Sequence, residues 1–200
     1  MATLASDSRS IADLTRTVFG ESLSIDQVLE RLNVDLTAGR GAVESTEPEA
    51  PPIALWVGSI GYERYKLNTE FAARLRGAGV HCLIDVRQLP ISRRRGYAKS
   101  ALAAVLSEHG IEYVHMRALG NPKPTRDLYK SGHTAAGRTG YKRYLLSEQR
   151  EALDALAEHL RNDRCALMCV EHDLAVCHRD VIFGALRDEL GLELDVAEID

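Results

Sequence analysis

From residue 53 to the end of the chain, short apolar runs alternate with longer amphipathic stretches. The spacing predicts strands over 53–58, 80–86, 111–115, 164–170 and 192–199. Between them it predicts helices over 67–76, 99–108, 141–160 and 177–190, the first two stopped by Gly77, Gly79 and Gly110. Residues 117–140 read as one long loop rich in Gly, Pro and Lys, of the kind that serves as a lid or binding loop. Strands that alternate with helices of this length imply an α/β fold: a mostly parallel sheet of about five strands, with helices on both faces.

The first 52 residues follow a different pattern. Residues 1–9 lack any periodicity, 10–19 suit a short helix, and Ser24-Ile25-Asp26-Gln27 resembles a capping box that opens a second helix through residue 32. Residues 37–52 are mostly Gly, Ala, Glu, Thr and Pro and read as a linker. The expected organisation is therefore a partly disordered helical appendage over 1–36, a linker over 37–52 and an α/β domain over 53–200. Residues 10–32 are a candidate surface for a protein partner or self-association.

Composition changes this picture little: 45% apolar and 27% charged residues suit a soluble domain large enough to bury its own core. No apolar run has the length of a membrane span, and no secretory signal is legible. Cys82 and Cys165 fall inside strand-like runs as reduced, buried thiols. A cytoplasmic protein without membrane contact is expected. Charge changes the picture more. The net charge is only −4, yet Arg87, Arg93, Arg94, Arg95 and Lys99 follow one another without an acid between them. Arg117, Lys123, Arg126, Lys130, Arg138, Lys142 and Arg143 have only Asp127 among them. Such concentration points to an anionic ligand, a small molecule or a nucleic acid.

Candidate chemistry gathers where predicted strands end, the edge at which parallel sheets bind ligands. Cys169-Val170-Glu171-His172 leaves one strand, and Cys177-His178-Arg179 opens the following helix. A helix N-terminus, an imidazole and a guanidinium would each favour a Cys177 thiolate, and the same groups would bind an anion. Cys177, Asp85 and Glu171 are thus the catalytic candidates. Arg87, Ser92, Arg93, Tyr97, His178, Arg179 and Tyr62 are the candidates for holding substrate, with Tyr97 available to stack on a base. Asp85 and Arg87 are expected to point apart. Gly120-Asn121-Pro122 reads as a turn signal and nothing more. No cofactor is predicted; the competing reading is a divalent metal on Cys169, His172, Cys177 and His178, although paired Cys-x-x-Cys spacing is absent.

Several of these motifs together resemble the DUF488 family: Gly79 to Arg87 with Asp85-Val86-Arg87, then Pro90, Ser92-Arg93, Gly96-Tyr97 and Lys99, Gly110 to His115, Leu119-Gly120, and Cys169-x-Glu171 with Cys177-His178-Arg179. The likeness spans residues 53–199. It departs at Gly61-Tyr62-Glu63, where many relatives carry Gly-His-Ser, and at Leu174, where Pro is common. The resemblance implies an α/β fold with a shared site and names no reaction. The functional expectation is an enzyme, a hydrolase or transferase, that binds an anionic substrate at the carboxyl edge of the sheet. The alternatives are a noncatalytic nucleic-acid-binding or regulatory module, or a metal-binding protein.

Overall fold

The computed structural model describes Gln27 and residues 54–200. The appendage and linker expected over 1–52 lie outside the described residues, apart from Gln27, which is helical. Five strands form one sheet: β1 (Leu55–Gly61), β2 (Cys82–Asp85), β3 (Glu112–His115), β4 (Cys165–Cys169) and β5 (Leu194–Glu198). Their order is β3-β2-β4-β1-β5, and every pairing is parallel. The α/β expectation holds, with five strands.

The residues of β2 and β4 are all buried, as strands covered on both faces must be. Their side chains divide by alternation. Cys82, Ile84, Cys165 and Leu167 join one core with Tyr141, Leu145, Leu153, Leu156, Ile182 and Leu186. Leu83, Ala166 and Met168 join the other with Phe71, Leu75, Leu102 and Leu106. Helices α1 (Asn68–Gly77) and α2 (Lys99–Glu108) therefore cover one face. On the other lie α4 (Thr134–Glu148), α5 (Arg150–Asn162) and α6 (Arg179–Leu190).

The largest difference from expectation lies between β3 and β4. Residues 117–140 are not one long loop. They hold a 3-10 turn (Arg117–Leu119), helix α3 (Lys123–Lys130) and the first half of α4. The helix expected over 141–160 is two helices, α4 and α5, meeting at Gln149. No residue of α3 is fully buried, and its large apolar side chains are Leu128 and Tyr129 alone, too few in eight residues to show a helical period. Helix α6 begins at Arg179 rather than at residue 177, which leaves Cys177 and His178 in the cap before it.

The connection leaving β2 runs outward to β3, and the one leaving β4 runs the other way to β5. Adjacent strands whose connections diverge leave a crevice beyond their carboxyl ends. The loop after Asp85 and the loop after Cys169 open into it. Among the described residues no helix is long and apolar enough to cross a membrane.

Candidate active site at the carboxyl edge of the sheet

Two close approaches shape the crevice. Gly61 ends β1 beside Cys169, and a Cβ there would lie 1.9 Å from the carbonyl oxygen of Glu171. A Cβ on Gly120 would lie 2.2 Å from the Cα of Gln88. Each glycine is required by a neighbouring backbone, and together they bring the 170–172 loop and the start of α3 against the sheet. Glu63 holds the first loop from outside, its Oε1 accepting the backbone N–H of His172 at 2.6 Å. Asp173 shapes the turn that follows by accepting the Ala175 N–H at 2.8 Å.

The turn folds Cys177 and His178 back onto Cys169 and Glu171. One ligand atom from each of the four lies within 4.8 Å of all the others. Cys169 Sγ donates to Glu171 Oε2 at 2.9 Å and sits 3.6 Å from His178 Nδ1. Cys177 Sγ lies 3.5 Å from Glu171 Oε2 and 3.9 Å from His178 Nδ1. His178 donates Nε2–H to the Val86 carbonyl at 3.0 Å, which turns Nδ1 toward the two sulfurs, while the Tyr141 ring stands edge-on against the imidazole at 5.2 Å.

Charge in this cluster is set by burial and by Arg179. That residue is fully buried; its Nε donates to Cys177 Sγ at 3.2 Å, and its Nη2 donates to the carbonyls of Glu171 and His172. A buried guanidinium needs a counter-charge, and the group it meets here is the Cys177 sulfur. Burial opposes the Cys177 thiolate, but hydrogen bonds from Cys169 and His178 and the charges of His178 and Arg179 outweigh it and hold the thiol well below its ordinary value. The hydrogen bond to Cys177 and burial push Cys169 well above its own. Burial and then the Cys177 charge raise Glu171. His178 is raised as well: burial works against its proton, and the contact with Cys177 outweighs burial. Two sulfurs, one imidazole nitrogen and one carboxyl oxygen thus converge, each with its proton affinity set by the others.

Above this cluster opens a cavity of about 350 Å³. Cys169, Glu171 and His178 line it together with the polar side chains of Arg87, Gln88, Asn121, Arg126, Tyr129 and Lys130. Leu89, Ile91, Val170 and Val176 also line it, four of the five large apolar side chains exposed among the described residues.

The remaining sequence candidates occupy other places. Asp85 and Arg87 do not point apart. Arg87 lies just beyond the end of β2 and folds back, donating Nε and Nη2 to the Asp85 carboxylate at 2.6–3.0 Å. Burial opposes the Arg87 charge, yet Asp85 and Tyr62 hold its pKa above the ordinary value. Arg87 also donates to the Tyr97 carbonyl at 2.9 Å, so its guanidinium is largely committed where it meets the cavity. Tyr97 is not free to stack on a base: it is fully buried, stacked on Tyr62 at 4.5 Å, and donates its hydroxyl to the Leu67 carbonyl. Ser92 accepts from Tyr62 and from the Arg94 N–H, which fixes the loop. Arg93 is exposed and does not line the cavity. His172 is absent from the four-residue cluster, where Glu171 takes its place; its Nε2 pairs with Asp200 at 3.0 Å instead. The polar cavity residues that sequence reasoning missed are Gln88, Asn121 and Tyr129; Arg126 and Lys130 stood out only within the basic concentration over 117–143. Gly120-Asn121-Pro122 is more than a turn, since Asn121 is buried and lines the cavity.

The model of the family described as "Domain of unknown function DUF488" matches residues 68–186. The chain belongs to the DUF488 family. The matched stretch runs from the start of α1 into α6 and contains the whole cysteine–glutamate–histidine cluster. No curated protein and no solved structure matches the chain.

Proposed function

We propose that this DUF488 protein is an enzyme, a hydrolase or transferase, whose substrate joins an apolar group to an anionic one. The observation that carries this reading is the composition of a single cavity. Cys169, Glu171 and His178 share it with Arg126 and Lys130, and with the exposed apolar side chains of Leu89, Ile91, Val170 and Val176, which form its apolar rim. Arg126 is oriented by Gln88 Oε1 and the Asn121 carbonyl, both at 3.1 Å, which leaves its positive charge in the polar wall. Lys130 is exposed at the same wall. Two cations in a partly apolar cleft attract an anion more strongly than the same cations on an open surface. The rim contributes by covering an aryl or acyl group. Arg87 and Arg179, being committed to Asp85 and Cys177, set the shape and charge of the site rather than clamp the ligand.

Phenyl phosphate is a suitable probe, titrated by isothermal calorimetry or chemical-shift perturbation. Saturable binding is expected, weaker for inorganic phosphate because the rim is left unused. Lys130→Ala and Arg126→Ala should each weaken it by about 3–10-fold, the size of one charge-assisted contact. Equal affinity in the wild type and the double variant would remove this reading. A nucleic-acid groove would behave differently, losing affinity steeply with salt across many cations.

A further inference from the structure

We propose that Cys169, Glu171, Cys177 and His178 together bind one zinc-class divalent ion, and that this ion is the centre toward which the cavity directs its substrate. The proposal rests on the reading of the cluster as the reacting centre and specifies its chemistry. Two sulfurs, one imidazole nitrogen and one carboxylate oxygen make a donor set that suits a borderline-soft ion in tetrahedral geometry. Bond lengths of ~2.0–2.3 Å at a tetrahedral centre place neighbouring donors roughly 3.3–3.8 Å apart. Here sulfur-to-nitrogen separations are 3.6 and 3.9 Å, and sulfur-to-oxygen separations are 2.9 and 3.5 Å. The remaining separations are within 4.8 Å, so side-chain movements of up to about 1 Å would complete the geometry.

The surroundings of the donors carry the argument further. A metal-bound histidine usually donates its other ring nitrogen to a carbonyl or carboxylate, which fixes the ligating nitrogen. His178 does this: Nε2–H goes to the Val86 carbonyl, and Nδ1 faces both sulfurs. Cys177 Sγ accepts Nε–H from the fully buried Arg179, a hydrogen bond that balances an excess of thiolate charge around an ion. The loop that carries the ligands is held by groups that are not ligands: Glu63 on the His172 N–H, Asp173 on the Ala175 N–H, and Gly61 beneath Glu171. Direct attack by a free thiolate fits the same cluster less well. Cys177 is 1% exposed and does not line the cavity, and Cys169, the sulfur that does, donates its proton to Glu171. Metal binding requires that the thiols, the imidazole Nδ1 and the carboxyl give up any protons they hold to solvent as they join the ion. Glu171 is the least buried of the four and the ligand best placed to yield to a substrate oxygen.

The test uses the full chain, free of any metal-binding tag and treated with chelator, titrated with cobalt(II) as a spectroscopic stand-in for zinc. One cobalt per chain should bind, with tetrahedral visible bands and a thiolate-to-cobalt charge-transfer band that added zinc abolishes. Cys177→Ser should reduce that band to one thiolate's share, and the Cys169→Ser/Cys177→Ser double variant should remove it. Glu171→Gln should weaken binding by about 10-fold or more, while His172→Gln leaves the spectrum intact. No stoichiometric uptake by the wild type would overturn the proposal without any variant having to fold. A spectrum unchanged in Cys177→Ser, or lost in His172→Gln, would overturn it too. Phenyl phosphate titrated into the chelator-treated protein separates the two readings. Binding there without cobalt uptake leaves the cavity reading and removes the ion; cobalt uptake without phenyl phosphate binding does the reverse.

Discussion

Asp85 is fully buried and accepts hydrogen bonds from the Arg87 backbone N–H, the Arg87 guanidinium and the Tyr113 hydroxyl, the last at 2.5 Å. Sequence reading placed it among catalytic candidates because it falls at the end of a predicted strand, the edge where parallel sheets bind ligands. In the structure its carboxylate holds Arg87, which braces the loop at Tyr97 through a carbonyl and at Tyr62 through the hydroxyl. Asp85→Asn keeps the shape and removes the charge, which leaves a buried guanidinium without its counter-ion. Breaking a buried pair in this way costs about 3–5 kcal/mol, and urea unfolding would measure it. A loss below about 1 kcal/mol would mean that Arg87 is solvated or re-paired in the variant. The sequence reading has the two pointing apart; β2 ends at Asp85, and the turn that follows, with the Arg87 N–H on Asp85 Oδ1, brings the guanidinium back onto the carboxylate. The side-chain order around Cys177 was legible only in part. The sequence shows a thiol beside an imidazole and a guanidinium at a helix start. That His178 turns Nδ1 toward the sulfurs depends on the Val86 carbonyl, 92 residues away in the chain.

Strands were legible as elements because burial on both faces leaves continuous apolar runs such as Cys165 to Cys169. Helices α3 and the first half of α4 were not, and glycine explains much of the difference. Gly137 and Gly140 read as helix breakers in sequence. In the structure, a Cβ at Gly137 would lie 2.7 Å from the Tyr129 ring, and one at Gly140 would lie 2.8 Å from Thr125 Cγ2. They let α3 pack closely on α4, which in turn puts Arg126, Tyr129 and Lys130 on the cavity wall. The same distinction between glycines yields a prediction. Gly61→Ala places a Cβ against the Glu171 backbone and must displace the 170–172 loop, so phenyl phosphate and cobalt binding should both be lost. Gly110 sits at φ +72° with nothing within 4 Å of an added Cβ. Gly110→Ala should therefore cost about 1–2 kcal/mol of backbone strain and leave both ligands binding as in the wild type. Calorimetric titration of the two variants side by side checks this; a Gly61→Ala protein that bound normally would show that the loop's close approach is dispensable.

The whole sheet explains why residues far apart in the chain meet. Parallel strands end at one edge, and the divergence of the connections after β2 and β4 opens that edge between them. The motif loops after Asp85 and Cys169 were therefore legible as sharing one edge, and the strand order makes them neighbours. The side chains that the third loop contributes were hidden in α3, a helix without a buried residue. The candidate centre ties the end of β4 to the start of α6, and both belong to one core with α4 and α5. An ion held there binds the folded domain and not the unfolded chain, so it should stabilise the domain as a unit. At 100 times its dissociation constant a ligand adds about 2.7 kcal/mol. For a domain of this size that corresponds to a rise of roughly 5–10 °C in Tm. Zinc added to the chelator-treated protein should produce that shift in differential scanning calorimetry, and the Cys169→Ser/Cys177→Ser variant should show none. An equal rise in both would place the ion at surface carboxylates or histidines, away from the β4–α6 junction.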